Sequence, residues 1–228
     1  MMASVTYAPH FNREGLARMS ANPILLIHGI DDTEALFSRM RPYLESHGRA
    51  THCPNLTPNN GASGLEDLAF QVLSYVNSNF DQETAIDVVG FSMGGLVARY
   101  YLQRLNGVDR VRRLVTISSP HRGTQTALLR RNKGARQMRR GSDFLRDLNR
   151  DVHTLDRLAF TTIWTPFDLM IFPANSSVLP AGRAIRVNVA AHPLMVRDRH
   201  VLRLVLDALS CEYPMPLSPT HAASPLST

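Results

Sequence analysis

The chain of 228 residues contains only two cysteines, Cys53 and Cys211, too few for a disulfide framework. They leave either a single bridge or, as the plainer reading, two free thiols in a reducing compartment. The first twenty residues, MMASVTYAPHFNREGLARMS, lack the apolar core behind basic residues that marks a secretory signal. No run approaches the roughly 20 apolar residues of a membrane span. A soluble, cytoplasmic protein is therefore expected. There is no internal repeat.

Acidic residues fall short of basic ones by six, but the shortage is local. Between Leu128 and Arg150 eight basic residues stand against two acids, and the rest of the chain balances. No interleaved aromatics or known binding motif accompany these arginines, so nucleic acid is not an expected partner. The length and the 44% hydrophobic content suit one α/β domain with a substantial core. That domain is expected over 23–210, between an N-terminal extension (1–22) and a proline-rich tail (211–228) expected to be disordered.

Within the domain, apolar runs alternate with amphipathic ones. PILLIHG (23–29) is short, branched and bounded by Pro23 and Gly29, as a buried strand should be. Ala35, Leu36, Met40, Tyr43 and Leu44 recur at helical spacing, with Asp31 or Asp32 placed to cap that helix and Glu34 in its first turn. ATHC could form a short strand and TPNNGAS is a loop. A second helix is marked by Leu65, Leu68, Ala69, Val72, Leu73 and Val76, a strand by AIDVVGF, and a third helix by Leu96 to Leu105. VRRLVTIS, FTTIWT and AIRVNVA read as further strands, and Val196 to Leu209 as a last helix. This alternation predicts an α/β fold with a mainly parallel sheet of about six strands and helices on both faces.

In VVGFSMGGLVARYY (88–101), Ser92 stands between Gly90 and Gly94 where a strand gives way to a helix. G-x-S-x-G at such a junction suits a sharp turn that exposes a nucleophilic serine, because bulk on either side would collide with neighbouring chain. The alternative is an ordinary serine in a glycine-rich turn. An oxyanion would need two backbone donors, and the N–H groups of Met93 and Ile30 are the candidates. His28 is read as a buried histidine that supports the Ile30 loop. Among later histidines, His221 lies in the tail and His200 on a solvated helical face. His192, in a loop after a strand at the ligand-binding edge of the sheet, is favoured as the base over His200; His121 and His153 are earlier candidates. Asp143, Asp147, Asp151 and Asp156 look like solvated helical carboxylates. Asp168 follows a strand one step before His192, where it could orient the imidazole, unless it only forms a turn.

Together with PILLIHGI, VTISSPHRGT, TTIWTPFDLMI and AAHPLMVRDRHVLRLV, the serine motif resembles the α/β-hydrolase lipases and esterases, especially small bacterial triacylglycerol lipases. The resemblance covers roughly Pro23 to Leu209. It implies a serine esterase or lipase with the triad Ser92, Asp168 and His192, oxyanion donors at Ile30 and Met93, and no metal or cofactor. Two departures are Phe91, where many relatives have histidine, and the acids of DDT (31–33), which are expected to point away from the oxyanion and cap the helix. The resemblance also gives residues 128–157 a context. Phe144, Leu145, Leu148, Val152 and Leu155 share one helical face with Ser142 as its cap, either in a lid that meets an anionic lipid surface or in a helix packed on the sheet. An acyltransferase or thioesterase would use the same triad, and a non-catalytic lipid- or protein-binding module would use the fold alone.

Overall fold

In the computed structural model, which describes residues 21–211, a parallel sheet is built around central strands that are buried on both faces. The strands are β1 (Ile24–Ile27), β2 (Thr51–His52), β3 (Ile86–Phe91), β4 (Val111–Ile117), β5 (Ala159–Trp164) and β6 (Arg183–Arg186), arranged in the order β2-β1-β3-β4-β5-β6. All five pairings are parallel. Side chains alternate across a strand, so Leu25 and Ile27 enter one hydrophobic cluster while Ile24 and Leu26 enter the other. Helices α2 (Leu65–Asn79), α3 (Met93–Arg104) and α5 (Asp143–Arg150) cover the first face, and α1 (Met40–Ser46) and α6 (Arg199–Ser210) the second. A short α4 (Lys133–Gln137) precedes α5. The expected α/β architecture, with helices on both faces of six parallel strands, is what the chain forms.

Several boundaries differ from expectation for identifiable reasons. The first helix is divided into a 3-10 turn (Glu34–Phe37) and α1. Pro42 has no N–H and clashes with a preceding turn, so it is tolerated only in a helix's first turn, and α1 starts two residues before it. Neither Asp31 nor Asp32 caps this segment. Thr33 does, its hydroxyl accepting from the Ala35 N–H at 3.4 Å. The strand expected at AIRVNVA is paired only over Arg183–Arg186, although Val187 and Val189 remain buried beyond it. The last helix begins at Arg199 because the Asp198 carboxylate takes the His200 and Val201 N–H groups. Cys53 and Cys211 are both free thiols. The tail and most of the N-terminal extension lie outside the described residues.

The apolar face read at Phe144, Leu145, Leu148, Val152 and Leu155 is occupied. Ser142 caps α5 as expected, Leu145, Leu148, Val152 and Leu155 are buried, and Phe144 stacks on Tyr100 at 5.6 Å. Asp147 and Asp151 are not merely solvated. Both pair with Arg104 of α3 at 2.7 Å, and Arg99 and Gln103 donate to the Leu148 carbonyl, binding α5 to α3.

At the N-terminal edge of the sheet, the fully buried Asp87 accepts from Arg49 at 2.5 Å, Arg113 at 3.3 Å and Asn22 at 3.1 Å. Burial works against its charge, while Asn22, Arg113 and Arg49 work for it. Removing one member leaves buried charge uncompensated. Asp87→Ala is therefore expected to lower the unfolding free energy by about 3–5 kcal/mol in a denaturant titration, and a loss under about 1 kcal/mol would contradict this account.

Candidate active site

The parallel register brings the C-terminal ends of the central strands side by side. Ile27 of β1 pairs with Gly90, Phe91 with Ile117, and Ile117 with Ile163. Loops leaving this edge carry Ile30 after β1, Ser92 directly after β3, Asp168 after β5 and His192 after β6.

Ser92 has φ 53° and ψ −121°, a positive-φ conformation that costs a non-glycine residue free energy unless its surroundings enforce it. They do so through close backbone approach. A Cβ on Gly94 would lie 2.2 Å from the Ile27 carbonyl oxygen, and one on Gly90 would lie 2.6 Å from Gly95 Cα. The chain thus passes from β3 into α3 with no space for a side chain at either Gly90 or Gly94. Ser92 is buried apart from a small opening and lines a cavity of about 340 Å³ together with Ile30. Met93 is the first residue of α3, so its N–H has no acceptor one turn back. The Ile30 N–H likewise has no acceptor among the described residues.

Asp168 and His192 come together. Asp168 Oδ2 accepts from His192 Nδ1 at 2.7 Å, and Oδ1 accepts from the N–H groups of Met170 and Ile171 at 3.0 and 2.8 Å. Both side chains are buried, 3% and 4% exposed, so the carboxylate is held in one orientation with Nδ1 committed to it. Thr165 Oγ1 donates to the Val189 carbonyl at 2.7 Å, joining the loop that carries the acid to the one that carries the histidine. The His192 ring packs on Phe91, the neighbour of Ser92, with centroids 4.7 Å apart.

The other histidines sit elsewhere. His28 takes the Leu56 N–H on Nε2 at 3.0 Å and lies with Nδ1 2.9 Å from the Gly29 carbonyl, supporting the loop as expected. His121 is fully buried against Thr116, and burial holds its pKa well below the usual imidazole range. His153 pairs with Asp156 at the surface, and His200 is exposed on α6. His221 lies outside the described residues. Sequence reasoning missed Asn59, which clamps the Ile30 loop by accepting the Asp31 N–H on its carbonyl and donating its side-chain amide to the Asp32 carbonyl. Nothing in NN (59–60) signals that contact. It also missed the walls of the cavity, formed by Ala127, Ala135 and Met138 within and by Leu129, Leu169 and Met170 at the mouth.

No metal-binding cluster of His, Cys, Asp or Glu occurs among the described residues. No helix there is long and apolar enough to cross a membrane.

This sheet, with a positive-φ serine at the turn after its central strand, is the α/β-hydrolase fold. Residues 23–159, more than half of the chain, match the palmitoyl protein thioesterase family, and the chain belongs to that family of lipase, esterase and thioesterase-type hydrolases. The match includes Ile30, Ser92 and Met93 and ends at the start of β5, before Asp168 and His192. Among solved structures, the mature lipase BlEst2 of Bacillus licheniformis is similar, with 15% identity and a TM-score of 0.70 over 85% of this chain and 94% of that one. Lipase B of Aspergillus fumigatus gives 19% and 0.71 over 85% of this chain, which spans 53% of that larger protein. Polyneuridine aldehyde esterase gives 15% and 0.59 over 82% and 98% of the two chains. At these identities the likeness is one of fold.

The tight elbow is directly testable. Gly48 also has positive φ but has nothing within 4 Å of a built Cβ, so Gly48→Ala should cost only the backbone strain, about 1–2 kcal/mol. Gly94→Ala must displace β1 and should cost about 3 kcal/mol or more. Equal losses in parallel thermal and denaturant melts would refute the close-approach explanation.

Proposed function

We propose that the protein is a serine hydrolase that removes the acyl group from a carboxylic ester, with Ser92, His192 and Asp168 as its triad. The observation that carries this reading is the buried Asp168–His192 pair, packed through Phe91 beside a strained serine that opens on a largely apolar cavity. With Nδ1 bound to Asp168, Nε2 of His192 is the nitrogen left to take the Ser92 proton as Oγ attacks the acyl carbonyl. The Ile30 and Met93 N–H groups stabilise the resulting oxyanion, helped by the positive end of α3. Collapse of the intermediate breaks the bond to the alcohol, which leaves with the proton from His192. Water then gives a proton to His192, attacks the acyl-enzyme, and releases the carboxylic acid and free Ser92.

A thioester is the second reading, favoured by the family match. The same steps apply with a thiol as leaving group. Ester and acyl-thioester substrates of increasing chain length, tested side by side, separate the two. Ser92→Ala and His192→Ala are each expected to lower kcat by about 10³-fold or more, and His200→Ala to retain most activity. An inactive wild type across both panels, or an active Ser92→Ala, would overturn the assignment.

We further propose that the cavity mouth meets a lipid surface. Leu128, Leu129, Phe167, Leu169, Met170 and Phe172 are all exposed, Leu129 by 85% and Leu169 by 83%. The two segments that carry them are joined by Thr126 Oγ1 donating to the Met170 carbonyl at 2.6 Å and Gln125 N–H to the Phe172 carbonyl at 2.8 Å. Arginines 122, 130 and 131 flank this apolar rim, a combination suited to anionic lipid. Leu128→Ser/Phe172→Ser is expected to lower the ratio of activity on anionic vesicles to activity on a dissolved short-chain ester several-fold. An unchanged ratio would exclude this docking face.

A further inference from the structure

The cavity beside Ser92 presents hydrocarbon to whatever enters it. Leu129, Leu169 and Met170 are exposed at its mouth, while Ala127, Ala135 and Met138 are buried within. Two threonines also line it, but both donate their hydroxyls to the Met170 carbonyl, Thr124 at 3.0 Å and Thr126 at 2.6 Å. Neither hydroxyl proton is therefore offered to a ligand. Arg130, the charged group at the mouth, is paired with Asp31.

The wall that carries Ala135 and Met138 is fastened from outside. Ala135 lies in α4 and Met138 directly follows it. The Gly134 N–H donates to the Gly61 carbonyl at 2.8 Å, Lys133 pairs with Glu66 at 2.7 Å, and Gln137 Oε1 accepts the Leu65 N–H at 2.7 Å. The approach is close, since a Cβ on Gly134 would lie 3.0 Å from the Ser63 carbonyl oxygen. At its other end, the Met138 carbonyl accepts the Thr124 N–H at 2.9 Å, tying the wall to the segment that faces it. To swing outward for a longer ligand, α4 would have to break several of these ties together, and a packed interior resists such shifts.

The chemistry decides which part of an ester enters. The leaving alcohol must reach His192 Nε2 for its proton, and His192 stands outside the cavity wall. The acyl chain is thus the part that faces Ala127, Ala135 and Met138. An apolar cavity of about 150 Å³ holds one benzene ring, and the 340 Å³ here is a little more than twice that, room for about twelve carbons.

We propose that Ala127, Ala135 and Met138 are specificity-determining residues, which set an upper length of about twelve carbons on the acyl chain the site encloses. The acyl assignment rests on the serine-hydrolase reading, whereas the limit on chain length inside the cavity does not.

The test measures binding of butyrate, octanoate, dodecanoate and hexadecanoate by calorimetry below their micelle thresholds, and kcat/KM for the matching dissolved esters. The head group is constant, so the slope reports the chain. Each added methylene is expected to raise affinity and kcat/KM about threefold to fourfold up to dodecanoate, and about 1.5-fold or less beyond it. Ala135→Leu adds three carbons to the wall and should bring the break to chains about three carbons shorter, whereas Met138→Ala should move it about three carbons longer. Displacement in opposite directions is something a general loss of folding cannot produce. A wild-type gain that stops before octanoate or continues undiminished to hexadecanoate, or a break that both folded variants leave in place, would overturn the proposal. A break in binding at the expected length, without turnover of any ester or thioester, would overturn the hydrolase reading and leave the length limit standing.

Discussion

The site depends on one contact between backbones. Where α3 begins, Gly94 lies against the Ile27 carbonyl at a distance no side chain could occupy. That contact fixes the first turn of α3 against the end of β1. It therefore fixes the Met93 N–H relative to the Ile30 loop and leaves Ser92 no conformation but the positive-φ one it adopts. The strain is not borne by the loop alone. It is carried by a sheet whose central strands are buried on both faces, and a packed interior resists the small shifts that would relieve it.

The acid and histidine are organised differently, by side-chain and loop hydrogen bonds more than by close packing of backbone. Asp168 has one oxygen held by two N–H groups of its own loop and the other by His192, so each oxygen has a defined partner. Thr165 then ties the two loops together through the Val189 carbonyl. This division matches chain order. The serine follows a central strand with the tightest packing, whereas the histidine follows β6, an edge strand with only four ladder residues.

Much of this was legible in the residues because the physics was local. Apolar runs such as PILLIHG can only be buried, Gly90 and Gly94 around Ser92 have a steric reason to be glycine, and the order of Asp168 and His192 follows from which loops leave one sheet edge. The illegible parts were tertiary. The periodicity from Ala35 to Leu44 reads as one helix, and the division before Pro42 depends on where the turn can restart. Asp31 and Asp32 had the chemistry of helix caps, and only the fold reveals that Thr33 takes that role while Arg130 draws one acid away and Gly29 makes room for the other. The apolar face at Leu145, Leu148, Val152 and Leu155 had a period that suits a lid and a packed helix equally. The carboxylates of Asp147 and Asp151 close on Arg104 of α3, a pairing that spans more than forty residues of chain.

The charged cluster at Asp87 has a consequence for the shape of the molecule as a component. Arg49, which binds Asp87, also donates to the carbonyls of Asn22 and Leu209, and Arg113 donates to that of Cys211. The first strand's approach and the last helix's exit therefore meet at one point, at the opposite end of β3 from Ser92. Residues 22 and 211 thus lie at the end of the sheet away from Ser92 and from the rim of Leu129 and Leu169. Joining residues 22 and 211 by a short linker and reopening the chain at a distant surface loop would preserve every contact around the serine.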